Sequence, residues 1–217
     1  MSEQYNKNED VIDRMRRLGW KCYVNYAMIL ICTAVYIYTE LTGGVYVEHM
    51  LELGASYIPL IRNGEYWRLF TAMFLHFGAR HLLSNMFLLF FIGDYLERYV
   101  GHVRYMLIYL GGGIAGNIIS GLHETMSGEV YVGAGASGAV YAVLGGLLAM
   151  TVLKKGKPEG LTMRKLLLLI VLMLIVGFQN GGVDGYAHFG GAVGGFLIAL
   201  LLMLPDTVKK LSGYKKE

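Results

Sequence analysis

The chain has 217 residues, 55% of them hydrophobic and only 16% charged, with a mean hydropathy of +0.47. A water-soluble domain carries nearer ~25% charged residues, so that class is excluded. The net charge is +3, but the basic residues are dispersed over short polar connections, which argues against nucleic-acid binding and for topology signals and contacts to anionic lipid headgroups.

Residues 1–21 are polar and charged and predict a short cytosolic tail, not a removable signal peptide. Uncharged runs of ~20 residues can cross the hydrocarbon core as helices, and six are read. The first runs from Cys22 to Thr39 and holds or adjoins both cysteines, Cys22 and Cys32, which have neither a disulfide framework nor metal spacing. A long connection follows, and within it Tyr66 to His76 has the pattern of an amphipathic segment lying in the interface. The second span runs from Gly78 to Tyr99, with Asp94, Glu97 and Arg98 near its end reaching the interface. The third runs from Tyr105 to Leu122, the fourth from Ala136 to Leu153, the fifth from Leu166 to Gly182 and the sixth from Tyr186 to Leu204. Residues 22–204 thus read as one six-helix membrane domain, and residues 205–217 as a basic cytosolic tail. Thirty glycines against three prolines suit closely packed membrane helices.

Charge sets the orientation. Sixteen of the nineteen basic residues fall in the N-terminal tail, the second-to-third and fourth-to-fifth connections and the C-terminal tail, leaving Arg62, Arg68 and Arg80 for the other side. The positive-inside rule then places both termini in the cytosol, as expected of a multi-pass protein of the cell membrane.

In that orientation, spans two, four and six run from outside to inside, each with its unusual polar residues at the outer end. Span two has His81 and Asn85 on one helical face, span four begins with Ser137 and has Tyr141 one turn below, and span six has His188 near its start. Singly each has an ordinary reading. A membrane-helix serine bonds back to a carbonyl, an asparagine joins helices, and a lone histidine is a core hydrogen-bonding group. Polar groups on three segments at one level point instead to a site.

The chemistry available is acyl transfer, because a serine becomes nucleophilic when a neutral histidine accepts its proton. The one acid beside these outer ends, Asp184, lies just outside, so the reading is a dyad. Ser137 opens its helix, so its N–H and the positive end of the helix dipole can meet an oxyanion, with His81 and Asn85 as further donors. Gly133-x-Gly135-x-x-Gly138 matches a dinucleotide fingerprint only literally, since no soluble strand–helix unit surrounds it. Gly135-Ala-Ser137-Gly-Ala139 lacks the last glycine of a hydrolase elbow. A zinc protease would need H-E-x-x-H, which is absent. An aspartyl protease would need facing carboxylates, whereas Asp94 and Asp184 fall at opposite membrane faces.

These residues resemble the rhomboid family of intramembrane serine proteases over Tyr66 to Leu204. Gly135-Ala-Ser137-Gly138 matches its nucleophile motif, Ala187-His188-Phe-Gly-Gly191-Ala-Val-Gly-Gly195 its histidine with spaced glycines, His81-Leu-Leu-Ser-Asn85 its His-x-x-x-Asn, and Trp67-Arg68 its first-loop pair. The resemblance implies Ser137 as nucleophile, His188 as general base, His81 and Asn85 as oxyanion donors, and Tyr141 stacked near the histidine. It also implies the minimal six-helix form: an all-α membrane bundle with an interfacial helical segment in the first external loop. Gly191 and Gly195 form a small-x-x-x-small face expected to bring span six onto span four. No cofactor or metal is implied.

The expected partners are the bilayer and single-span or multi-span membrane proteins, cut near the outer end of a helix that Gly, Pro or small residues weaken. The connection from Phe178 to Gly185, with its glycines, is the expected mobile cap. A catalytically silent relative that binds or escorts membrane clients is the alternative, but such relatives lack the serine or the histidine. A transporter would show inverted repeats and polar groups at mid-membrane, and neither is visible.

Overall fold

The computed structural model describes residues 22–153, 163–179 and 182–213. The expected tail over residues 1–21, the end of the C-terminal tail from residue 214, the basic connection over residues 154–162 and the middle of the expected cap, Asn180 and Gly181, lie outside the described residues.

The chain folds as an all-α membrane bundle. Helix α1 is Tyr23–Thr42. The first external connection holds α2 (Val47–Glu52), α3 (Ile58–Arg62) and α4 (Arg68–Thr71), which continues as a 3-10 turn through Ala72–Phe74. Next come α5 (Ala79–Leu88), a π-helical turn over Leu89–Gly93 and α6 (Asp94–Val100). The long helix α7 is His102–Ser127, α8 is Ser137–Val152, α9 is Met163–Gln179 and α10 is Gly185–Gly213. Strands β1 (Ser56–Tyr57) and β2 (Val132–Gly133) pair antiparallel and tie the first external connection to the turn before α8.

Among the described residues, three helices are long and apolar enough to cross a membrane: Tyr23–Thr42, His102–Ser127 and Gly185–Pro205. The segment expected as an interfacial piece plus span two is a fourth candidate, bent by 91° between Arg68–Phe74 and Ala79–Val100. The expected fourth span is only 16 residues long as α8, and most of those residues are buried. A helix enclosed by its neighbours can begin inside the protein without spanning the full hydrocarbon thickness. The last helix contains the expected sixth span and runs on past it, through Pro205 to Gly213.

Glycine sets the central packing. Helices α7, α8 and α10 meet at glycines whose missing side chains let backbones touch. A Cβ on Gly191 would strike the carbonyl of Gly138, one on Gly195 the backbone of Ala142, and one on Gly145 the carbonyl of Ala192. On the α7 side, a Cβ on Gly112 would strike Ala142 and stand 3.2 Å from the backbone of Gly195. Among the described residues, the largest apolar cluster gathers around α7 and α8, with Tyr105, Ile108, Tyr109, Ala139 and Val143 fully buried.

Buried polar groups lock the start of α1 to the hairpin of α6 and α7. Glu97, fully buried, accepts hydrogen bonds from Val24 N at 3.0 Å and Asn25 N at 2.7 Å, satisfying donors that the start of α1 leaves free. The π turn widens the helical ladder, and Asn25 Nδ2 donates to Leu89 O there at 3.0 Å. In the external connection the buried Arg68 donates from Nε to Glu65 and from Nη1 to the carbonyls of Leu51 and Ala55 at 2.7 and 3.1 Å. A guanidinium with five donors can fasten three chain segments at once.

Candidate active site

Ser137 is the first residue of α8, so its N–H is one of the donors a helix start leaves unpaired, at the positive end of the dipole. The turn before it is held from the first connection: Gly135 N donates to Ala72 O at 2.9 Å, and Ala136 N lies 3.4 Å from Nε2 of His76. Gly135 has φ of +145°, a conformation that favours glycine. A Cβ there would stand 2.6 Å from Cε1 of His81 and 3.7 Å from Oγ of Ser137. The His81 imidazole therefore packs against Gly135, the residue that the serine hydroxyl also approaches.

His81 is on the first turn of α5 and packs edge-on against His76, with ring centroids 5.2 Å apart. One turn on, Asn85 is buried and its Nδ2 has no protein hydrogen-bond partner. Across the glycine contact, the His188 ring lies flat on Tyr141, with centroids 4.2 Å apart and planes within 12°. Tyr141 is one turn below Ser137 on the same face of α8. His188 is buried, and its Nδ1 also has no protein partner. At this level the two helices meet through the ring stack and the Gly138–Gly191 contact, without a serine–histidine hydrogen bond; such bonds often tighten only when substrate is present.

The structure thus brings His81, Gly135 and Ser137 together on one side and Tyr141 and His188 on the other, with Gly138 against Gly191 between them. Asn85 sits on the His81 face of α5. Asp184 is not a third member: one carboxylate oxygen accepts from Ala187 N at 2.8 Å and the other from Ser120 Oγ at 2.5 Å. Sequence reasoning missed His76, which carries no helical spacing to His81 because Gly78 breaks the chain between them. It also missed Ser120, which reads in sequence as an ordinary small residue of span three.

An all-α bundle of apolar helices packed on glycines defines the class, an integral membrane protein. Residues 63–205 match the Rhomboid domain family. The chain is 35% identical to rhomboid protease GluP of Bacillus subtilis over 83% of its own length and 35% of that protein's. It is 37% identical to RHOMBOID-like protein 5 of Arabidopsis thaliana over 74% of its length and 52% of that protein's. It is 30% identical to rhomboid protease AarA of Providencia stuartii over 82% of its length and 71% of that protein's. The chain therefore belongs to the rhomboid family, and it spans about a third of GluP and about half of the Arabidopsis relative.

Proposed function

We propose that the chain is an intramembrane serine endoprotease that cuts membrane-protein substrates near the outer end of a transmembrane helix, using Ser137 and His188 as a dyad. The observation that carries this reading is the His188 ring stacked on Tyr141, one helical turn from a serine that opens α8. His188 takes the Ser137 proton as Oγ attacks the scissile carbonyl, then gives it to the departing amine. Water completes the second half, freeing Ser137 from the acyl-enzyme. The Ser137 N–H, the unpartnered Nδ2 of Asn85 and the His81 imidazole meet the developing oxyanion. An intact helix hides its carbonyls in hydrogen bonds, so substrates carry Gly, Pro or small residues where they are cut.

The same reading takes residues 22–204 as six crossings in a cell membrane with both termini cytosolic. The short α8 then enters from the outer side, so that Ser137 lies below the surface where water can reach it. The purified protein, offered a panel of single-span substrates with Ser137→Ala as control, tests the proposal. Serine-dependent cleavage near the outer end of a span supports it. Capture of uncleaved clients by the wild type would favour a silent family member.

Asn85→Ala separates transition-state help from packing. Losing one oxyanion donor typically costs ~10²–10³-fold in rate. With His81 and the Ser137 N–H still present, kcat should fall roughly tenfold with KM little changed. If the variant melts earlier while its folded fraction turns over normally, Asn85 is structural and leaves the site.

A further inference from the structure

Asp184 does not touch the His188 imidazole, but it holds the turn from which that ring projects. It immediately precedes α10, and its Oδ1 accepts from Ala187 N, three residues on, while His188 N donates to the Asp184 carbonyl at 3.2 Å. That is the geometry of an N-cap, in which a side chain satisfies a donor of the first turn. The second carboxylate oxygen, Oδ2, accepts from Ser120 Oγ on α7 at 2.5 Å. One carboxylate therefore fixes the first turn of the histidine helix both internally and against its neighbour.

Ser120 is placed where α7 and α10 already touch. A Cβ on Gly116 would come within 2.5 Å of the carbonyl of Ala187, and one on Gly190 within 2.7 Å of Ile119. The serine also lies 3.2 Å from the hydroxyl of Tyr131, whose backbone N donates to Glu124, one turn beyond Ser120, at 3.3 Å. Burial pushes the Tyr131 phenol up to about 12, so it stays protonated and can hydrogen-bond as a neutral group. Tyr131 lies in the connection that leads to Ser137. The cluster thus ties α7 to the start of the histidine helix and to the approach to the serine helix.

We propose that Asp184 is a positioning residue for the base: through Ser120 and its own helix cap it sets the rotation of the first turn of α10, and with it the His188 ring over Tyr141. This rests on the reading of His188 as the base. A merely structural carboxylate would change how much protein folds, not how fast the folded protein activates its serine.

The test is the rate at which a small fluorophosphonate labels the full-length protein in detergent, measured beside substrate kcat and KM. The reagent reads the serine–histidine pair without needing a substrate helix to enter. A misplacement of ~1 Å can cost 10²-fold, and a turn still held by helix packing should lose less. For Asp184→Ala the expected result is labelling and kcat of the folded protein both reduced about tenfold, with KM nearly unchanged and the thermal midpoint lowered by only the few degrees that a lost helix cap costs. Asp184→Asn should recover most of the rate, because its amide oxygen still accepts from Ala187 N and its amide nitrogen can donate to Ser120. Ser120→Ala, which cuts only the link to α7, should show a smaller loss in the same direction, and it decides the matter if Asp184→Ala does not fold.

Normal labelling with impaired cleavage in Asp184→Ala would overturn the proposal and assign the carboxylate to substrate entry. An Asp184→Asn variant as slow as the alanine would also overturn it. Wild-type labelling no faster than that of Ser137→Ala would instead overturn the protease reading itself, and the positioning role with it.

Discussion

Ser137→Ala and His188→Ala each abolish cleavage of a single-span substrate, and the double variant is no slower than either single one. Both side chains serve one proton transfer, so removing the second costs nothing once the first is gone. In a soluble serine protease, loss of the nucleophile or of its histidine lowers kcat ~10⁶-fold, and what survives comes from the oxyanion hole and binding. A loss of at least ~10⁴-fold is expected for each variant here, below the floor of a gel-based assay.

Folding should be spared in the serine variant. Ser137 lies on the first turn of α8, and the helix keeps its glycine contacts without the hydroxyl. His188→Ala forfeits the stack on Tyr141, so a modest drop in thermal midpoint accompanies its lost activity. Aromatic pairs are worth about 0.5–1.5 kcal/mol beyond area burial. Appreciable turnover by Ser137→Ala, or a double variant much slower than each single one, would remove the dyad.

The helices were legible in the sequence because charge is so expensive in lipid that uncharged runs stand out. The expected third and sixth spans fall within α7 and α10, and the first coincides with α1 apart from Cys22, which precedes the helix. What the runs could not convey is shape. The 91° bend before Ala79 arises where Leu75 to Gly78 leave helical geometry, and Gly78, at φ of +118°, lets the chain turn. The π turn at Leu89–Gly93 depends on Asn25, sixty-four residues away, taking the freed carbonyl.

At the candidate site the residue types and their order along the chain were readable, whereas the supports were not. His76 under Ala136 and Asp184 on Ser120 are contacts between segments sixty and sixty-four residues apart. Such contacts leave no periodic trace in a single sequence. Asp184 was visible as the acid beside the outer ends, yet only its hydrogen bonds show that it faces α7 and the helix start.

Gly191→Val lowers both stability and turnover, and it does so because the opposing surface is backbone. A Cβ at position 191 would strike the Gly138 carbonyl oxygen and lie 2.9 Å and 3.1 Å from its C and Cα atoms. A flexible side chain could swing away from such a clash, but the first turn of α8 cannot. Overpacking a core costs about 1–3 kcal/mol, and a clash with backbone belongs at the upper end. At ~2–4 °C per kcal/mol for a domain of this size, the thermal midpoint in detergent should fall by about 6–12 °C.

Activity should fall further than stability alone explains. Gly191 is three residues beyond His188 and Gly138 directly follows Ser137, so any separation of α8 and α10 opens the distance between the proposed base and nucleophile. A shift of ~1 Å is enough to cost ~10²-fold in rate. Leu197→Val, on the half-exposed side of α10, removes a methylene without meeting another helix and should leave both quantities near wild type. Gly191→Ala should fall between the two, since the clash begins at Cβ and the valine adds its branches. An unchanged midpoint for Gly191→Val would mean that the helices do not touch at this glycine. A lower midpoint with normal turnover in the folded fraction would separate the glycine contact from the geometry of the dyad.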